Sequence, residues 1–98
     1  MDITVLYVRD CPHVALARER IRDALDGLGR PTQPTELLVD TEADAARLGF
    51  AGSPTILIDG TDPFPADGHP GLACRLYATE DGMQGAPTVA QLAAAFTR

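Results

Sequence analysis

The chain contains no lysine: all eight of its basic residues are arginine. Schiff-base chemistry, which needs a lysine amine, is thereby excluded. Cysteine is almost as scarce. Two in 98 residues cannot build the disulfide framework of a small secreted fold. Positive charge is in short supply as a whole. Eight basic and 14 acidic side chains leave a formal net charge of −6, which argues against nucleic acid and against an anionic membrane surface. No apolar run approaches the roughly 20 residues that cross a bilayer. Met1-Asp2-Ile3-Thr4-Val5 lacks the basic start and the cleavage site of a targeting segment. Together these absences predict a cytoplasmic protein with no nucleic-acid or membrane partner. In that compartment a cysteine pair stays reduced and is more often catalytic or metal-binding than structural.

What is present is enough for one core. A mass of 10.4 kDa fits a single domain over residues 1–98, and 45% apolar residues are sufficient to fold it. Ile3-Thr4-Val5-Leu6-Tyr7-Val8 is apolar on both faces apart from Thr4, which predicts a strand buried on both sides. Pro12 is suited to a first helical position, which would make Cys11 the N-cap. Val14, Ala17, Ile21, Leu25 and Leu28 then form a helical stripe, with Gly27, Gly29 and Pro31 closing the helix. Thr35–Val39 reads as a second strand, Thr41-Glu42-Ala43-Asp44 as the capped start of a short helix ending at Gly49, and Pro54–Ile58 as a third strand. Asp59-Gly60 signals a tight turn, and any strand pairing back must be short, around Thr61–Phe64.

Residues 59–87 read as an irregular insert holding nine of the chain's 17 glycines and prolines, with a short helix expected at Leu72–Ala78. Asp62, Asp67, Glu80 and Asp81 within it read as solvated charges. Thr88-Val89-Ala90-Gln91 is a capping box for a last helix whose buried stripe would be Val89, Leu92, Ala93 and Phe96. The expected order is β-α-β-α-β-(β)-α, an α/β fold in which the first two strands run parallel.

Two features carry chemistry. Cys11 stands where a strand passes into a helix, where orphan N–H groups and the helix dipole favour a thiolate. His13 could add positive charge beside it, and Asp10 opposes that. Ser53-Pro54-Thr55 places a proline at a strand entry, a setting suited to a cis peptide bond. A zinc set of Cys11, His13, His69 and Cys74 lacks any close Cys-x-x-Cys spacing. No phosphate-binding glycine loop follows a strand, and no cofactor is implied.

In order and context, these residues resemble the thioredoxin-like superfamily, over about residues 1–60 and 87–98. The resemblance implies a nucleophilic thiol at Cys11, a cis Pro54 beside it, and a substrate-binding stretch Ser53-Pro54-Thr55 in which the Ser53 backbone receives a peptide or glutathione. The family's Cys-x-x-Cys is here Cys11-Pro12-His13-Val14, so Val14 cannot resolve a mixed disulfide. The only other thiol is Cys74, far downstream in Leu72-Ala73-Cys74-Arg75-Leu76-Tyr77-Ala78-Thr79. That region resembles, more weakly, the second cysteine region of the organomercurial (alkylmercury) lyase family. This second resemblance implies two thiolates that hold mercury and an acid three residues after the first cysteine, where this chain has Val14.

The leading expectation is therefore thiol–disulfide exchange at Cys11, resolved by Cys74 or by an external thiol, on a protein or small-molecule partner. One alternative is a mercury-binding or alkylmercury lyase-like protein that uses Cys11 and Cys74 as ligands. The other is a non-catalytic interaction module on the same fold.

Overall fold

The apolar pentapeptide Ile3–Tyr7 (β1) becomes the central strand of a three-stranded sheet. In the computed structural model, which describes residues 1–30, 32–64 and 71–97, it is followed by α1 (Val14–Gly27), β2 (Thr35–Leu38), α2 (Glu42–Leu48), β3 (Thr55–Ile58), β4 (Tyr77–Thr79), β5 (Gly82–Gln84) and α3 (Val89–Phe96). The sheet order is β2-β1-β3. β1 runs parallel to β2, with Leu6 opposite Leu37, and antiparallel to β3, with Val5 opposite Ile56. The result is an α/β fold with a mixed sheet.

Alternation along β1 divides the core in two. Ile3 and Val5 point to one face, where they join Ile56, Ile21 and Leu25 of α1, and Leu92 and Phe96 of α3. Leu6 points to the other face and meets Val39, Ala45 of α2, and Phe50. Each of these valine, leucine, isoleucine and phenylalanine side chains, fully buried, stabilises the fold by about 1.5–3 kcal/mol.

Local signals set most element ends. The Thr41 hydroxyl accepts the Asp44 N–H at 3.0 Å, and Gly49 closes α2 at φ 72°. Thr88 and Gln91 form the full capping box of α3. Asp59 and Gly60 both have positive φ, and Thr61 pairs back on Ile58 as a single antiparallel bridge.

Four expectations need correction. First, α1 starts at Val14 with His13 as N-cap, so Cys11 and Pro12 precede the helix. The chain first makes a turn in which the Cys11 N–H donates to the Val8 carbonyl, with Asp10 left-handed at φ 60°. The first helical bond then runs from Ala17 to His13. Second, Leu72–Ala78 forms no helix. Leu72 and Ala73 bend, the chain is extended from Cys74 onward, and the insert contains the antiparallel β4–β5 hairpin, with Ala78 opposite Met83. Burial alternates along it: Arg75 and Tyr77 are inside, while Cys74, Leu76 and Ala78 are outside. Third, α3 buries Leu92, Ala95 and Phe96, whereas Val89 is exposed and Ala93 only half-buried. The Gln91 side chain ties that first turn to the Ala78 carbonyl at 2.9 Å, which sets the rotation of the helix. Fourth, Asp62 is an ion-pair partner of a buried arginine rather than a solvated charge. Pro31, Asp67 and His69, each of which carried an expectation, lie outside the described residues.

Candidate functional site

The turn after β1 leaves Cys11 half-buried at the end of the sheet. Its sulfur lies 3.7 Å from that of Cys74, a residue 63 positions away, and both are free thiols. Cys74 is exposed and belongs to the extended segment ahead of β4.

Ser53 brings the two together. The Ser53–Pro54 peptide bond is cis. The Ser53 hydroxyl accepts the Val8 N–H at 3.1 Å, and the Val8 carbonyl accepts the Cys11 N–H at 3.3 Å. On the other side, the Ser53 N–H donates to the Ala73 carbonyl at 2.8 Å, and its carbonyl accepts the Arg75 N–H at 3.0 Å. Ser53 and Cys74 thus form a parallel bridge. One buried serine holds the turn of the first thiol with its side chain and the strand of the second with its backbone.

Arg75 and Tyr77 anchor that strand. The Arg75 guanidinium donates to Asp62 at 2.8 Å, in a pair whose side chains are 7% and 17% exposed. It also lies over the Tyr77 ring at 4.0 Å. The Tyr77 hydroxyl donates to the Pro54 carbonyl, and Phe64 meets the Tyr77 ring edge-on at 5.6 Å. Gly52 allows the approach: at φ 107°, a Cβ there would stand 2.6 Å from the Arg75 Cβ.

Burial, the hydrogen bond to Cys11 and the charge of that neighbour all push the Cys74 thiol up from its ordinary range. Burial does the same, more strongly, to the Tyr77 phenol; nearby Arg75 opposes the shift in part.

Of the residues singled out from sequence, Cys11 and Cys74 meet. Ser53, Pro54 and Thr55 lie beside them but are fully buried. The Thr55 hydroxyl is engaged internally, donating to the Gly52 carbonyl and accepting the Ala51 N–H. Both backbone polar groups of Ser53, expected to receive a partner, are taken by the chain's own residues 73 and 75. His13 packs its ring against Gly85, where a Cβ would overlap it. Gly52, Arg75 and Tyr77 carry no functional signal of their own in the sequence, where Asp62 reads only as a solvated charge. The alternation of Arg75 and Tyr77 with Cys74 and Leu76 was the available signal.

Among the described residues, no group of three or more His, Cys, Asp or Glu side chains converges as a metal site. The chain matches no family model, no curated protein and no solved structure. Among the described residues, no helix is long and apolar enough to cross a membrane.

Proposed function

We propose that this chain is a thioredoxin-like thiol protein acting as a thiol–disulfide oxidoreductase, with Cys11 attacking and Cys74 resolving. The observation that carries this reading is the 3.7 Å separation of the two sulfurs. A disulfide bond measures about 2.05 Å, so closure needs a movement of under ~2 Å. The β2-β1-β3 strand order and the cis Ser53–Pro54 bond beside the thiols support the family reading.

In the forward reaction the Cys11 thiolate attacks one sulfur of a partner disulfide. That bond breaks, and the partner's other sulfur leaves as a thiolate and takes up a proton. The Cys74 thiolate then attacks the Cys11 sulfur and expels the partner's second sulfur. Two electrons and two protons pass to the partner, and the chain is left with a Cys11–Cys74 disulfide. Cys74, whose thiol is pushed up by desolvation and by its neighbour Cys11, takes the resolving position in this reading.

The test equilibrates the protein with glutathione buffers of graded potential, followed by alkylation and mass analysis. A single two-electron transition with loss of two hydrogens is expected, and it should vanish in Cys11→Ser and Cys74→Ser. Independent glutathionylation of each thiol, or no oxidation, would overturn the assignment of Cys74 as the resolving thiol.

The same sulfur pair favours a second reading, since two converging thiolates suit a soft ion such as Hg(II). Val14 is a buried apolar residue of α1 and offers no acid for cleaving a carbon–mercury bond. On this reading the chain captures mercury with one ion per thiol pair, and an organomercurial releases no hydrocarbon.

A further inference from the structure

The extended segment that carries Cys74 has an apolar outer face that the reading above does not use. Arg75 and Tyr77 turn inward, so Cys74, Leu76 and Ala78 share the outer side. Met83 lies beside Ala78 across the hairpin. Leu76 is 56% exposed and Met83 62%, and with Cys74 and Ala78 these residues line one side. They form a strip that starts next to the thiol pair and runs about 13 Å from Cys74 to Ala78, at roughly 6.7 Å for each pair of residues. Large apolar side chains grouped in this way mark contact surfaces more often than chance exposure does.

Resting on the oxidoreductase reading, we propose that this strip docks the partner, and that the partner is a polypeptide disulfide whose cysteine is flanked by apolar residues at alternate positions. Two observations select that occupant over a small anionic thiol. The strip matches the length and two-residue repeat of a short extended chain, and one of its members is the reacting residue Cys74 itself. The charge around it is negative: Asp10 adjoins Cys11, and Glu80 and Asp81 form the exposed turn of the hairpin beside Met83. A molecule of net charge −6 with carboxylates at this site repels an acidic thiol and tolerates an apolar or basic peptide. The docked peptide presents its disulfide to Cys11, and the exchange proceeds with the electron balance given above.

The test measures the rates at which the reduced protein reduces two disulfides. One is glutathione disulfide; the other is a leucine-flanked synthetic peptide with an internal disulfide. The peptide is expected to react at least about tenfold faster, the scale of one apolar side chain buried on contact. In the double variant Leu76→Ser, Met83→Ser that ratio should fall about tenfold. Replacing the peptide's leucines by glutamate should lower the ratio equally with the unaltered protein, which covers the case of a poorly folded variant. Equal rates on the two disulfides, or a ratio that neither change moves, would overturn the docking strip while leaving the oxidoreductase reading intact. If neither disulfide oxidises the thiols, that reading fails and the strip fails with it.

Discussion

Cys74 is bridged through its backbone neighbours to Ser53, the residue that precedes the cis proline. The second thiol is therefore delivered to the first by the same loop that supports the Cys11 turn. Because the Ser53 hydroxyl also accepts the Val8 N–H, Ser53→Ala leaves a donor without its partner at a part-buried position. A cost of about 1–3 kcal/mol is expected, measured by urea denaturation. The 73–75 backbone bonds do not involve the hydroxyl, so disulfide closure should persist in that variant.

Gly52→Ala should act on closure as well as stability. The added Cβ meets the Arg75 Cβ at 2.6 Å, and φ 107° is strained for any L side chain. The Arg75 strand must move away, carrying Cys74 with it. The expected result is a several-fold slower Cys11–Cys74 closure under oxidant, with a loss of about 1–3 kcal/mol. Closure as fast as in the unaltered protein would contradict the role of this contact.

Two of the four arginine–carboxylate pairs among the described residues should differ sharply. Asp62→Asn leaves the Arg75 charge buried without its partner, and about 3–5 kcal/mol of stability should be lost. Glu36→Gln breaks the Arg18 pair, whose side chains are 53% and 30% exposed, and should cost no more than about 1 kcal/mol. Arg18 holds the Glu36 carboxylate below its ordinary range, so that small contribution is present above the usual carboxylate pKa and is lost on acidification. Parallel denaturation curves at neutral pH and at pH 3 compare all three effects.

Alkali should weaken the fold through Tyr77. Its phenol is raised above the ordinary 10.0 by burial, so the neutral form is the one the fold favours. The stabilisation is complete below pH 10 and falls above it, by roughly 1.4 kcal/mol per pH unit. Tyr77→Phe should lose the hydrogen bond to Pro54, about 1 kcal/mol at neutral pH, and also flatten this alkaline slope. Stability measured at several pH values on both proteins checks the sign.

The elevated Cys74 thiol gives a kinetic counterpart. Resolution of a mixed disulfide on Cys11 needs the Cys74 thiolate; Cys11 is then neutral, and desolvation, the largest cause of the Cys74 shift, still favours the thiol, so the rate should keep rising as pH passes the ordinary thiol value of 9.0. Stopped-flow release of a chromophoric thiol from Cys11 follows this step, and Cys74→Ser should abolish it. A rate that levels off below that value would contradict the assigned resolving role.

Much of this molecule is legible in the chain itself. β1 announces its central place by being apolar on both faces, and α1 its inward face by the Val14, Ala17, Ile21 and Leu25 spacing. Thr41 and Thr88 announce their helices through bonds that span only three residues. Asp59-Gly60 fixes its own turn through positive φ. These features depend on neighbours within one turn of chain, which a linear reading supplies.

The site depends on contacts that sequence distance hides. Leu72–Ala78 has apolar and small residues compatible with a helix. Its course, extended from Cys74 onward, follows from the bonds of residues 73 and 75 to Ser53 and of Tyr77 to Pro54. Arg75 reads as a surface charge until Asp62 and the Tyr77 ring enclose it. The Cys11–Cys74 approach spans 63 residues and is set by Ser53, which belongs to neither cysteine's segment. The sequence alone determined the elements, their order and the presence of two thiols, because local backbone preference and side-chain periodicity decide those. Only the tertiary structure decided that the thiols meet and which face of the segment carrying Cys74 is left open. Both outcomes follow from burying Arg75 and Tyr77 against the cis-proline loop, which turns the alternate side chains, Cys74 among them, outward.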